Sequence, residues 1–265
     1  MPSDLDFVAH LTRESARFAD AIREAAPDAS VPTCPDWNAD DLLWHLAEVQ
    51  WFWRTVVREK MSGDEAQALK PSRPPGRADL EEFFQSASRS LTQALAANPP
   101  DTAAWTWSDD HTVGFIRRRQ AHEALIHRVD AELIAGRRTP MDPALSADGV
   151  DEALRVMYGS LPEWATFTAD PEQTLRLRAT DTGGSWFLTL GQVTGTDPDD
   201  GTACDEPDAH AADNDPGTAA AAEVAGTAAD LDCWLWHRPP AGLVEQSGDR
   251  QVLDRYAGAI APGIN

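Results

Sequence analysis

The segment VPTCPDWNADDLLWHLAEVQWFW, residues 31–53, decides the fold class. Pro32 and Pro35 end any helix that arrives from the N-terminal side. Asn38 then stands three residues before Asp41, the spacing of a capping box, so a long helix is predicted to begin there and run to about Lys60. Leu42, Leu46, Val49 and Trp53 share one face of it, and His45 is read as part of that inward stripe rather than of the Asp40/Asp41/Glu48 side.

The same periodicity extends in both directions. Residues 4–26 carry Leu5, Val8, Leu11, Phe18 and Ile22 at helical spacing. Beyond the proline-rich loop KPSRPPGR (70–77), a third helix is predicted over roughly 79–97, ended by Asn98, Pro99 and Pro100. A loop with Trp105 and Trp107 precedes a fourth helix over about 115–136, and Asp142 and Pro143 lead into a fifth near 146–165. Long amphipathic helices with moderate loops predict an antiparallel four-helix bundle over residues 1–166.

After that the period changes. Thr174–Thr180 alternates apolar and polar residues like a half-buried strand, Asp181–Gly184 make a turn, and Trp186–Val193 reads as the partner strand. Residues 195–217 (GTDPDDGTACDEPDAHAADNDPG) hold almost no large apolar group and are expected to be a mobile acidic insertion. Ala219–Gly226 reads as a third strand, Thr227–Trp236 as a helix and SGDRQVLDRYAGAI (247–260) as a last amphipathic helix. The expected fold class is therefore mixed: a helical bundle followed by a small α+β domain over 167–265.

Composition narrows the functions. Lys+Arg 22 against Asp+Glu 44 gives a net charge of -22, a surface that repels phosphate backbones and anionic headgroups, so neither nucleic acid nor membrane is expected as a partner. No run approaches the roughly 20 apolar residues of a membrane span, and the first residues do not read as a secretory signal. Cys34, Cys204 and Cys233 are odd in number and scattered, which fits a reducing, cytoplasmic location. A monomer is the expected state.

The residues that carry chemistry are His45, Glu123 and His127. Glu123 and His127, four apart on a helix, point about 40° from each other and can serve one ion. A second bundle helix can present His45 across the core. Two histidines and a carboxylate suit catalytic zinc with an open position, and equally nickel, iron or manganese. His122 suggests a HExxH motif, but it lies five residues before His127 and projects about 140° away, so Glu123 is read as a ligand and not as a zincin base. Asp130, three residues after His127, is placed to orient that ligand. Each element also has a plainer reading, since a lone histidine on an apolar face is usually a core residue and Glu-x-x-x-His is often an exposed helix pair.

Residues 31–53 together with RRRQAHEALIHRVDAEL (117–133) resemble the two metal-binding motifs of the mycothiol-dependent maleylpyruvate isomerase family, among the DinB-like bundles. LRLRATDTGGSW (175–186) and LWHRPPAGLVEQSGDRQVLDRY (235–256) resemble its small C-terminal domain, and the acidic run at 195–217 departs from it. The resemblance implies His45, Glu123 and His127 as metal ligands, Zn2+ as the metal and mycothiol or another small thiol as cosubstrate. It also implies an arginine of the C-terminal domain at the electrophile, matched to Arg238, with Arg176, Arg178 and Arg250 as competitors. The activity implied is thiolate addition to an electrophile, as a maleylpyruvate-type cis–trans isomerase or a thiol S-transferase. The alternative is a non-catalytic metal-containing binding or regulatory protein, for which the α+β part's similarity to sterol-carrier-like folds makes an apolar ligand conceivable.

Overall fold

The structure, a computed structural model, describes residues 5–264. Residue 4 of the expected first helix lies outside them. Cα packing divides the chain into two units, Met1–Pro140 and Met141–Asn265.

In the first unit, α1 (Phe7–Glu24) starts where the Asp6 carboxylate accepts from the Ala9 amide at 3.0 Å. A short hairpin, β1 (Ser30–Val31) and β2 (Cys34–Asn38), absorbs the two prolines and delivers Asn38 to the start of α2 (Ala39–Glu59). The predicted capping box is present: the Asp41 amide donates to Asn38 Oδ1 at 2.9 Å and the Asn38 amide to Asp41 Oδ2 at 3.0 Å. The helix stops at Lys60, which adopts φ 54°. A short α3 (Gly63–Ala68) follows, then α4 (Arg77–Ala97) and α5 (Val113–Ile134). The hairpin and α3 were not anticipated.

α1 packs on α5 and α4, and α2 on α4 and α5. Phe18 and Ile22 of α1, Leu42, Leu43 and Leu46 of α2, Leu80 and Phe84 of α4 and Ala131 of α5 form one core cluster. Beside it lies a buried ionic seam. Arg128 Nε donates to Glu14 Oε2 at 3.0 Å and Nη1 to Glu132 Oε2 at 3.0 Å, tying α5 to α1 without solvent.

In the second unit, α6 (Pro143–Glu152) passes into a π-helical turn, Ala153–Met157. The helix expected near 146–165 is thus shorter. At Gly159 a Cβ would sit 2.7 Å from the Leu154 carbonyl oxygen, so the chain reverses there on a residue that must be glycine. The expected division after residue 166 grouped this helix with the bundle; in the structure it packs on α7 (Ala228–Leu235).

The sheet runs β5-β4-β3-β6-β7, formed by β3 (Ala165–Ala179), β4 (Ser185–Thr196), β5 (Ala203–Ala211), β6 (Ala222–Gly226) and β7 (Glu245–Gly248). β3 and β6 are parallel and the other pairs antiparallel. Leu175 and Leu177 are buried and alternate with Arg176 and Arg178, as predicted. α8 (Arg250–Ile260) packs against β5, β3, β4 and β6.

The acidic run is a correction: it is not a loose insertion, because Ala203–Ala211 is the edge strand β5, paired with β4 along its length. An edge strand needs backbone partners on one side only, so it forms without a large apolar set, and its Asp, Glu and Pro207 are the residues that blunt a sheet edge. Asp215 ties down the end of the run, accepting from Arg176 at 2.9 and 3.1 Å and from Ser185 at 2.7 Å.

Candidate metal centre

Two helices and the hairpin build the site, all within the first unit. His45 sits two turns into α2, and Glu123 and His127 lie one turn apart on α5. His45 Nε2 lies 3.2 Å from Glu123 Oε1, and His127 Nε2 lies 3.1 Å from the same oxygen. One donor atom from each residue falls within 4.8 Å of the others. His45 lies at the border of the inward stripe, half-buried like Val49. Its side chain is 28% exposed, whereas Leu42, Leu46 and Trp53 are buried, which leaves the cluster reachable from solvent.

The surrounding residues orient each group. Asp130, fully buried, has Oδ2 3.0 Å from His127 Nδ1, and its Oδ1 accepts from Thr33 Oγ1 at 2.6 Å. With Nδ1 held by Asp130, Nε2 is the nitrogen that faces Glu123. Arg119, one turn before Glu123 and almost fully buried, donates Nη2 to Glu123 Oε2 at 2.9 Å, so that Oε1 is the oxygen facing the histidines. The Trp37 ring lies over His45 at a centroid distance of 4.8 Å.

Electrostatics agree with a cation seat. Burial on its own would raise the Glu123 pKa, but His127, His45 and Arg119 outweigh it and hold the carboxyl well below its usual range. Burial on its own would lower the His127 pKa, but Glu123 and Asp130 outweigh it and push it up to about 9. The site thus draws positive charge, as a proton on His127 or as a metal ion. The donor chemistry fits a metal: two imidazole nitrogens and a carboxylate oxygen are a zinc ligand set, and the three atoms lie within 4.8 Å of one another, with each imidazole hydrogen-bonded to the carboxylate at 3.2 and 3.1 Å.

The chain matches the family description "Mycothiol maleylpyruvate isomerase N-terminal domain" over residues 8–132 and "MDMPI C-terminal domain" over residues 144–255. The chain belongs to the mycothiol-dependent maleylpyruvate isomerase family. Two solved structures share its fold, both crystal structures of a mycothiol-dependent maleylpyruvate isomerase. One carries a histidine-to-alanine substitution (TM-score 0.59) and the other is described without it (TM-score 0.57). Each is 11% identical, with 92% of this chain and 93% of the other covered. No curated protein matches.

The other residues considered are not among the three converging donors. His122 turns toward α1, where Phe7 meets its ring edge-on at 6.0 Å. Cys34 is half-buried in β2 and packs against the core cluster. Arg238 belongs to the second unit, where it is buried and donates Nη1 to the Trp236 carbonyl at 2.7 Å. Its competitors hold carboxylates: Arg176 pairs with Asp215, Arg178 with Glu223 and Arg250 with Asp254. Arg119, Thr33 and Trp37 were missed. Arg119 had a signal, its position four residues before Glu123 on the same helix face. Thr33 and Trp37 reach the site only through the hairpin.

Proposed function

We propose that this isomerase-family member is a zinc-dependent, thiol-using cis–trans isomerase of the maleylpyruvate type, built on a DinB-like antiparallel four-helix bundle. The observation that carries the reading is the convergence of His45, Glu123 and His127 on one point with Asp130 behind His127. A divalent cation held by these donors supplies the positive charge that lowers the pKa of a thiol at its open position. The protein's part is to fix the donors and leave that charge in place. Glu123 offers one negative charge and both histidines are neutral ligands, so a doubly charged ion keeps a net positive charge. Arg119 takes the second oxygen of Glu123 and limits how far the carboxylate offsets the ion. Asp130 holds the Nδ1 proton of His127, and Trp37 covers one face of His45.

Thiolate addition to a cis double bond conjugated with a carbonyl turns that bond into a rotatable single bond, and elimination after rotation returns the trans isomer. We assign Arg238 to the keto-acid carboxylate on the family resemblance alone, since a guanidinium fork suits a carboxylate. A thiol S-transferase shares the addition step and releases the adduct.

The test is incubation of the zinc-loaded protein with maleylpyruvate, with and without mycothiol, followed by chromatography. Fumarylpyruvate formed only with thiol, and lost in His45→Ala, is the expected result. An accumulating thioether indicates a transferase. A protein that holds zinc and yields neither product is the non-catalytic alternative.

A further inference from the structure

The side of α2 that carries His45 continues into a second feature. Glu48, Val49 and Phe52 lie within about 60° of His45 around the helix. All four are half-buried, whereas the adjoining Leu46, Ala47, Gln50 and Trp53 are buried. This strip leads to a cavity of about 180 Å³ whose apolar walls are Val49, Trp51, Phe52 and Trp53. Phe52 lies seven residues beyond His45, roughly 10 Å along the axis.

The walls are held in place. Trp105 stacks on Trp53 at a centroid distance of 6.0 Å and 29° and meets Phe52 edge-on at 6.1 Å. Its indole also lies against Gly63, where a Cβ would clash with the ring. The first residue of α3 is thus a glycine that admits this tryptophan. On the polar side, Lys70 Nζ is 2.6 Å from Glu48 Oε2, with Gln67 alongside, so the rim carries a neutralised pair and an amide.

We propose that this cavity seats the apolar body of the electrophilic substrate, and that the body is one uncharged aromatic ring or an aliphatic group of that size. The volume matches one ring: an apolar cavity of about 150 Å³ accepts benzene, so this one seats a single ring with a small substituent. The neutral Lys70–Glu48 pair and Gln67 favour a hydrogen-bonding substituent over a second anion. The axial offset between Val49–Phe52 and His45, about 6 to 10 Å, places the reacting carbon one to four bonds from the ring once the ring radius and the reach of a thiol are allowed for. The substrate class is then an unsaturated keto acid of the maleylpyruvate type in which an aryl or alkyl group stands where maleylpyruvate carries its second carboxylate. This inference rests on the thiol-addition reading of the metal centre for the role of the cavity, not for its existence.

Binding of cinnamamide and of its ring-free counterpart crotonamide to the zinc-loaded full chain, followed by tryptophan fluorescence and calorimetry, tests it. Cinnamamide is expected to bind at least about tenfold more tightly. Phe52→Ala should remove most of that advantage and Val49→Phe, which fills the cavity, all of it, both at unchanged zinc content. Equal affinity of the two amides for a zinc-holding wild type, or a ring preference that survives Val49→Phe, overturns the proposal. If the protein takes up no zinc but shows the ring preference and loses it in Val49→Phe, the cavity stands as a ring site and the metal reading falls instead.

Discussion

Replacing Asp130 separates a metal ligand from the residue that orients one. Its carboxylate is fully buried between His127 Nδ1 at 3.0 Å and Thr33 Oγ1 at 2.6 Å, and it is not among the three converging donors. Asp130→Ala removes the acceptor that fixes the His127 tautomer and frees the ring to rotate. Loss of such a partner costs about 10–100-fold in metal affinity, or about 1.4–2.8 kcal/mol. Asp130→Asn keeps an oxygen for the Nδ1 proton but loses the negative charge, so about tenfold is expected. Thr33→Ala leaves the carboxylate in place and should cost least. Zinc dissociation constants from competition with a chromophoric chelator measure the series, with far-ultraviolet circular dichroism of the metal-free proteins as the control for folding. The predicted order of loss is His127→Ala, then Asp130→Ala, then Asp130→Asn, then Thr33→Ala. An Asp130→Ala protein that binds zinc within twofold of wild type refutes the orienting role, and one as deficient as His127→Ala makes Asp130 a ligand.

Other outcomes follow from the same contacts. Because the metal-free His127 has its pKa pushed up to about 9 while Glu123 is already ionised at neutral pH, zinc must displace one proton. Calorimetry in buffers of differing ionisation enthalpy should therefore report about one proton released per zinc at pH 7, with affinity rising tenfold per pH unit until about pH 9. Arg128→Met leaves Glu14 and Glu132 buried without their shared guanidinium, which should cost about 3–5 kcal/mol in urea unfolding. Glu132 also sets an acid limit. Burial would raise its pKa, but Thr139 and Arg128 outweigh it and lower it below 4.5, so its stabilisation is present above that pH and lost as pH falls through the folded value. In Glu132→Gln the acid-side decline in melting temperature should be shallower. Gly63→Ala drives a methyl group into Trp105 and should destabilise the first unit by about 1–3 kcal/mol, with a shifted tryptophan emission.

Features read correctly from the chain are those decided by residues near one another. Asn38 and Asp41 announce the start of α2 because a capping box is local chemistry. The alternation at Leu175–Arg178 shows the strand, and the interval from Glu123 to His127 shows two donors on one side of α5 because a helix has a fixed pitch. What stayed hidden depends on distant partners. β5 has no apolar signature and exists because β4 offers it a row of backbone groups. α6 looks like one more bundle helix until α7 is seen beside it. That His45 stands at the border of its apolar stripe and not at the centre was hidden, because period alone does not distinguish the two. Thr33 and Trp37 gain their roles through the turn of a hairpin that two prolines disguised as a simple break.

The central claim is that His45, Glu123 and His127 hold one metal ion with a position open to a thiol. X-ray absorption at the zinc edge, on protein carrying one zinc per chain, tests it most directly when recorded with and without mycothiol. Two imidazole nitrogens and light oxygen donors are expected without thiol, and one added sulfur at about 2.3 Å with it. A zinc that keeps the same ligands after saturating thiol, or a protein that takes up no zinc, contradicts it.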